Sequence, residues 1–106
     1  MSVSIFNPDI EERVSSEIEE DIREPSMYRV LLHNDDYTSM EFVVEVLIYV
    51  FQKSMEESTL IMLKVHREGI GLCGLYTYEI AETKVEMVEV LARENGFPLK
   101  CTMEED

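Results

Sequence analysis

The stretch LLHNDDYTSMEF, residues 31–42, places Asn34, Asp35 and Asp36 directly between two apolar segments. Unpaired carboxylates beside a hydrophobic core are costly, so this acidic break is either a turn that ends a strand or a site for a positive group. His66 lies further along the chain, on a segment with helical periodicity. An amide oxygen, a carboxylate and a neutral imidazole nitrogen could together accept the three N–H donors of a protonated α-amine.

Apolar residues accompany these polar groups on two predicted helices. Met62 and Val65 share a helix face with His66, because the three lie at positions i, i+3 and i+4. Met40 and Val43 lie one turn apart at the start of the preceding helix, and only a residue or two joins the helices. We therefore expect an apolar notch beside the acidic rim. Taken singly, His66 is more typical of a histidine at the edge of the core, residues 34–36 of a turn that ends a strand, and the two methionines of core packing. The hypothesis therefore depends on their combination.

The apolar periodicity predicts elements in the order β-α-α-β-α-β. The predicted elements are a strand at 27–33, helices at 38–53 and 54–69, a strand at 70–78, a helix at 79–94 and a strand at 99–103. Thr38 with Glu41, and Ser54 with Glu57, have the capping-box spacing that begins a helix, and Gly69 can end one. Three helices packed on a small antiparallel sheet, behind a loose N-terminal extension, place the chain in the α+β class.

The sequence also predicts which helix faces are buried. The first helix is apolar almost all round, so it should be largely buried. The third should place Ile80, Val85, Val88 and Leu91 on its inner face.

The charge of the chain excludes several classes of partner. Its 106 residues include 23 acidic and 9 basic ones, with a net charge of −14. Such a surface repels phosphate backbones and anionic lipid, so we expect no nucleic-acid or membrane binding. No apolar run approaches the roughly 18 residues of a membrane span, and the start of the chain does not resemble a signal peptide. We therefore expect a soluble cytoplasmic protein.

Residues 1–25 differ from the rest and are expected to be a mobile acidic extension ahead of a core domain at 26–106. They carry eight acidic residues against two arginines. Apolar residues recur there every four positions, as Ile10, Val14, Ile18 and Ile22. This stripe leaves two interpretations open, a solvated and partly helical tail or a segment that engages a partner.

Catalysis, a metal and a cofactor are not expected. Cys73 and Cys101 have no CxxC or Cys/His cluster around them, which favours two reduced core side chains over a disulfide or a shared metal. Asp36 and His66 could be imagined as an acid–base pair. However, the chain has no plausible activated nucleophile near them, no HExxH motif and no phosphate-binding glycine loop.

Four segments together resemble the ClpS family, the adaptors that feed proteins to the ATP-dependent Clp protease. They are PSMYRVLLHNDDYTSMEFVVEVL, MLKVHREG, CGLYTYEIAETKVEMV and ARENGFPLKCTME, and the resemblance covers residues 25–104. It implies a monomer that recognises a destabilising first residue (Leu, Phe, Tyr or Trp) under the N-end rule. It also implies docking on the N-terminal domain of a Clp AAA+ unfoldase that is ClpA-like or ClpC-like.

The resemblance also implies roles for particular residues. Positions matching Asn34, Asp36 and His66 hold the α-amine in the family, and the position matching Asp35 adds negative charge nearby. The side-chain pocket corresponds to Thr38, Met40, Val43, Met62, Val65 and Leu99, with Met40 as its gate. Glu79 and Lys84 match the unfoldase-docking face, and the N-terminal extension is implicated in handing over substrate.

Two positions and one alternative remain open. Ser39 stands where many relatives carry proline, which predicts a looser entry to the first helix. His33 is either a second titratable group beside the amine site or, as we favour, a cap at a strand edge. The alternative function is an interaction domain for internal peptides or a folded partner, which acetylation of the ligand's α-amine would distinguish.

Overall fold

A computed structural model describes residues 25–106, so the predictions for residues 1–24 lie outside the described residues. The elements are β1 (Met27–His33), α1 (Met40–Tyr49), α2 (Met55–Glu68), β2 (Ile70–Thr77), α3 (Tyr78–Glu94) and β3 (Lys100–Glu105). Their order confirms the predicted β-α-α-β-α-β arrangement and the α+β class.

The sheet has β1 at its centre, in the order β2-β1-β3, and both pairings are antiparallel. Leu32 of β1 lies opposite Cys101 of β3, and the pairing with β2 shifts register between Val30 and Leu31. Because successive strand residues point to opposite faces, Val30 and Leu32 turn inward together, and neither is exposed to solvent. The central strand therefore anchors the core on which the site is built.

The first helix is buried on one face and not almost all round, because Val44 and Ile48 are only half-buried and Tyr49 is exposed, and the inner face of the third helix also differs from the prediction. Val46 and Leu47 of α1 are almost fully buried. On α3, Ile80 is 50% exposed, and the buried positions are Ala81, Val88 and Ala92. We expected large apolar residues to face the core, but two of the three buried positions on α3 are the small residues Ala81 and Ala92. The placement of Ile80 on the inner face was wrong.

The start and end of α1 also differ from the prediction. The N-cap is Ser39, whose hydroxyl accepts a hydrogen bond from the N–H of Phe42 at 3.1 Å. Thr38 is therefore not the cap, and serine stabilises the helix entry that we expected to be looser. The helix ends at Tyr49 and not at 53, because the chain turns sharply at Gln52, which has a φ of 51°.

The second helix has the predicted signals at both ends. Ser54 caps it by accepting from the N–H of Glu57 at 3.1 Å. Gly69 ends it in the left-handed conformation, with a φ of 89°, and its N–H donates to the carbonyl of Val65. The last turn of α2, which carries His66, is thereby held in a defined position next to β2.

Candidate functional site

The predicted site residues gather around one cavity of about 220 Å³, where the loop after β1 meets α1 and α2. The lining residues are Asn34, Asp35, Asp36, Thr38, Met40, Val43, Met62, Val65 and His66. Every predicted amine-binding residue is in this set. Leu99, predicted for the side-chain pocket, lies in the core with 5% exposure and does not line the cavity.

Asp35 folds the loop that forms the acidic rim. Its Oδ1 accepts from the backbone N–H groups of Tyr37 at 2.8 Å and Thr38 at 2.7 Å. Its Oδ2 accepts from the hydroxyl of Thr38 at 2.6 Å. Both carboxylate oxygens are thus used within the loop, an arrangement typical of an aspartate that shapes a turn. The acidic break could be either a turn or a binding site on its sequence alone, and at Asp35 the structure shows the turn.

A backbone contact brings the loop beside the end of α2. The N–H of Asn34 donates to the carbonyl of Gly69 at 2.9 Å. Asn34 and Asp36 on the loop, and His66 in the last turn of α2, are all exposed side chains. Within residues 25–106 these three side chains make no hydrogen bond or ion pair with protein. Their acceptor atoms are therefore available to a ligand at the polar end of the cavity.

The other end of the cavity is apolar. Val43 and Val65 are 6% and 2% exposed, so they form a buried floor. Met62 is half-buried, and Met40 is 44% exposed at the mouth. Methionine is flexible and polarizable, so a wall built from Met40 and Met62 can adapt to apolar groups of different shapes.

The electrostatics of the rim favour a cation. Burial by itself would raise the pKa of the Asp35 carboxyl, but the hydrogen bonds donated by Thr38 and Tyr37 outweigh it. The pKa of Asp35 consequently lies below its ordinary value, and the group stays ionised at neutral pH. With Asp36 beside it, the rim carries two adjacent negative charges. The arrangement suits a ligand that joins a cation to an apolar group.

The two predicted docking residues lie on α3, away from the cavity. Glu79 is exposed in the first turn of α3. The ammonium of Lys84 donates to the carbonyl of Val50 at 2.6 Å and to Oε1 of Gln52 at 2.9 Å. It also lies 5.4 Å from the ring centroid of Tyr76. Lys84 therefore fastens α3 to the turn after α1, a structural role that sequence reasoning missed because the partners are 34 and 32 residues away.

Three further titratable side chains, His33, Cys73 and Cys101, serve the sheet and the core. Nε2 of His33 lies 2.7 Å from the hydroxyl of Thr102, so the imidazole links β1 to β3 and does not line the cavity. Cys73 and Cys101 are buried and free, and burial raises the pKa of both thiols, that of Cys101 to about 12.

Two features are absent from residues 25–106, a membrane-spanning helix and a cluster of metal ligands. No helix in this part of the chain combines the length and the apolar character needed to cross a membrane. No three His, Cys, Asp or Glu side chains in it form a group able to hold a metal ion.

Comparison with known proteins gives consistent matches. Residues 23–102 match the family described as ATP-dependent Clp protease adaptor protein ClpS. The ClpS adapter protein of Desulforapulum autotrophicum is 58% identical over 104 residues, which cover 98% of this chain and 100% of that protein. The ClpS adapter protein of Lawsonia intracellularis is 58% identical over 107 residues, covering 99% of this chain and 97% of that protein.

A solved structure agrees with the sequence matches. Agrobacterium tumefaciens ClpS2 bound to L-phenylalaninamide superposes with a TM-score of 0.76 and 41% sequence identity, covering 78% of this chain and 100% of that chain. The chain belongs to the ClpS family of ATP-dependent Clp protease adaptor proteins. This confirms the resemblance inferred from the sequence motifs, and it places the chain among the adaptors of the Clp protease.

Proposed function

We propose that this Clp protease adaptor binds proteins through a free N-terminal amine and a large hydrophobic first side chain, Leu, Phe, Tyr or Trp, and delivers them for degradation. The observation that carries the proposal is the 220 Å³ cavity with available polar acceptors at one end and a floor of buried valine at the other. A protein N-terminus with a hydrophobic first residue has the same two parts, an ammonium and an apolar group joined at one carbon.

The polar end recognises the amine. The amide oxygen of Asn34, the carboxylate of Asp36 and a nitrogen of His66 accept one N–H each, while Asp35 contributes charge from within the loop. Each hydrogen bond to a charged group contributes about 1.5–3 kcal/mol. Acetylation removes the charge and two of the three donors, so an acetylated chain cannot satisfy these acceptors.

The apolar end selects the first side chain. Burying a Leu- or Phe-sized group against Val43, Val65 and Met62 contributes about 1.5–3 kcal/mol. With three amine hydrogen bonds, and an association cost of at least about 4 kcal/mol, the upper end of these ranges gives about −8 kcal/mol. That corresponds to micromolar affinity. Thr38 borders the pocket, Met40 acts as its gate, and Leu99 supports it from the core.

The family match and the bound relative support this assignment. L-phenylalaninamide, the ligand in the Agrobacterium tumefaciens ClpS2 structure, has a free α-amine and an aromatic side chain. Its terminal amide resembles the first peptide bond of a longer chain. It is therefore a minimal version of the ligand proposed here.

Delivery requires a second surface, for which we propose the exposed side of α3 near Glu79, with Lys84 at its edge. Its partner is the N-terminal domain of a ClpA-like or ClpC-like AAA+ unfoldase. No residue of α3 lines the cavity. A monomer can therefore hold a substrate and the unfoldase at the same time, in the cytoplasm and without catalysis or a cofactor. The acidic extension, residues 1–25, assists the transfer of substrate.

The test is fluorescence anisotropy with a labelled peptide that begins with Phe and with its N-acetylated twin. We expect micromolar binding of the free peptide and at least about 100-fold weaker binding of the acetylated one, since two charge-assisted hydrogen bonds are lost. The Asp36→Ala variant should lose affinity for the free peptide, whereas a matched change on α3, Glu94→Ala, should not. Equal affinity for the two peptides would instead favour recognition of internal peptides or a folded partner.

A further inference from the structure

A second groove of about 360 Å³ runs along the outer side of α1 and α2 and adjoins the amine cavity. Met40 and Met62 line both spaces. The two methionines therefore form a shared wall, and a chain that leaves the cavity over Met40 enters the groove directly.

The groove is apolar because of the helix periodicity of both walls. Met40, Val44 and Ile48 recur every four residues and form one wall on α1, and Met55 stands on the facing side of α2. Val44 and Ile48 are only half-buried, and Met55 is 63% exposed. An apolar face with this much exposure, on a chain of net charge −14, is typical of an interaction site.

The rim of the groove restricts what can occupy it. Glu41 and Glu45 line it one helical turn apart, and both are exposed. In the part of the chain that the structure describes, neither carboxylate forms an ion pair. Like charges at this spacing repel each other and repel acidic ligands. The suitable occupant is therefore an apolar segment without acidic residues.

We propose that this groove binds the substrate chain downstream of its first residue and selects for a large apolar side chain there. The inference rests on the function proposed above, because the first residue in the amine cavity fixes where the following residues lie. Met40 and Ile48 are about 12 Å apart along α1, at about 1.5 Å per residue. An extended chain covers about 3.4 Å per residue, so three to four residues span the groove. Substrate residues 2 to 5 therefore lie along the groove, and the third and fourth, in its middle, are the ones selected.

A groove on α3 provides the matched control. It is lined by Met87, Val90 and Leu91 among others, and it shares no residue with the amine cavity. Met87 is 42% exposed. A charge placed there alters an apolar surface of the same kind without affecting a chain that leaves the cavity over Met40.

The test compares three ligands by isothermal titration calorimetry: L-phenylalaninamide and the pentapeptide amides Phe-Gly-Leu-Leu-Gly and Phe-Gly-Ser-Ser-Gly. The leucine peptide should bind at least about tenfold more tightly than the serine peptide, the factor expected for burying one leucine. Met55→Glu should abolish this preference, and Met87→Glu should retain it. Met55 is exposed in the first turn of α2, where a glutamate suits the helix dipole, so the variant should fold.

The outcomes separate this inference from the proposed function. If wild type binds phenylalaninamide but shows no preference for leucine, or if Met55→Glu keeps the preference, the downstream subsite is refuted and the amine site stands. If wild type fails to bind phenylalaninamide, the proposed function itself fails. Loss of the preference in Met87→Glu as well would also refute the subsite, because the selectivity would then not be specific to this groove.

Discussion

Asp35 should act on the binding site through the loop it folds and not by direct contact with the amine. Its carboxylate accepts three hydrogen bonds, at 2.8, 2.7 and 2.6 Å, from Tyr37 and Thr38. Two substitutions separate the two roles. Asp35→Ala removes the acceptors and the charge, whereas Asp35→Asn removes the charge and keeps an oxygen for the two backbone N–H groups.

The number of hydrogen bonds to Asp35 sets the expected loss of stability in the two variants. Three hydrogen bonds at about 0.5–1.5 kcal/mol each give about 1.5–4.5 kcal/mol, and the exposure of the loop favours the lower half of this range. We expect Asp35→Ala to lower the free energy of unfolding by about 2 kcal/mol and Asp35→Asn by less than about 1 kcal/mol. In a domain of this size, 2 kcal/mol corresponds to a fall in Tm of roughly 8–16 °C.

The measurements are thermal unfolding by circular dichroism and titration with L-phenylalaninamide. Because the loop positions Asn34 and Asp36, Asp35→Ala should weaken binding about tenfold, and Asp35→Asn by less than about threefold. If both variants lost affinity equally while keeping the wild-type Tm, Asp35 would act chiefly through its charge and not through the fold of the loop, and the positioning argument would be refuted.

The pH dependence gives an independent check. Although burial opposes it, hydrogen bonding by Thr38 and Tyr37 places the folded-state pKa of Asp35 below its ordinary value of 3.8. A carboxyl group whose pKa is lower in the folded state stabilises the fold at pH values above its unfolded-state pKa. This contribution is lost as the pH falls through its folded-state pKa. The difference in unfolding free energy between wild type and Asp35→Asn should therefore be constant above about pH 5 and shrink below 3.8.

Two further predictions concern the fold around the site. Lys84→Met should lower the free energy of unfolding in urea by about 1–3 kcal/mol, because the ammonium bonds to Val50 and Gln52 are lost. Glu79→Gln should leave it unchanged, and equal stability of the two variants would contradict the fastening role of Lys84. For Cys73, burial raises the thiol pKa above 9.0, so the neutral thiol stabilises the fold below pH 9.0 and this contribution is lost as the pH rises further. Stability measured from pH 8 to 10.5 should fall less steeply in Cys73→Ala, and identical slopes would argue against that contribution.

The Lys84 prediction also affects how docking experiments are interpreted. Weaker unfoldase binding by a Lys84 variant would combine a lost surface charge with a loosened contact between α3 and the turn after α1. Glu79 is exposed in the first turn of α3, so Glu79→Gln is the cleaner probe of the proposed docking surface. The α3 variant Met87→Glu, which is also exposed, shows whether the surface extends along the helix.

The sequence by itself determined the features that depend on neighbouring residues. Ser54 and Gly69 marked the ends of α2 correctly, because a cap and a left-handed stop involve groups within about four residues. The periodicity placed Met62, Val65 and His66 on one face for the same reason. The sequence did not predict which of two adjacent hydroxyls, Thr38 or Ser39, caps α1. In the structure the Thr38 hydroxyl donates to Asp35, and Ser39 is the N-cap.

Only the tertiary structure decided the contacts between distant parts of the chain. The bond from Asn34 to Gly69 joins the acidic loop to the end of α2, and the bond from Lys84 to Val50 joins α3 to the turn after α1. Neither hydrogen bond is indicated by the residues next to it in the sequence, because each depends on the path of the whole chain. The same is true of the exposure of Ile80, since the packing of α3 on the sheet decides which of its faces is buried. It is also true of the groove beyond Met40, which exists only because α1 and α2 pack side by side.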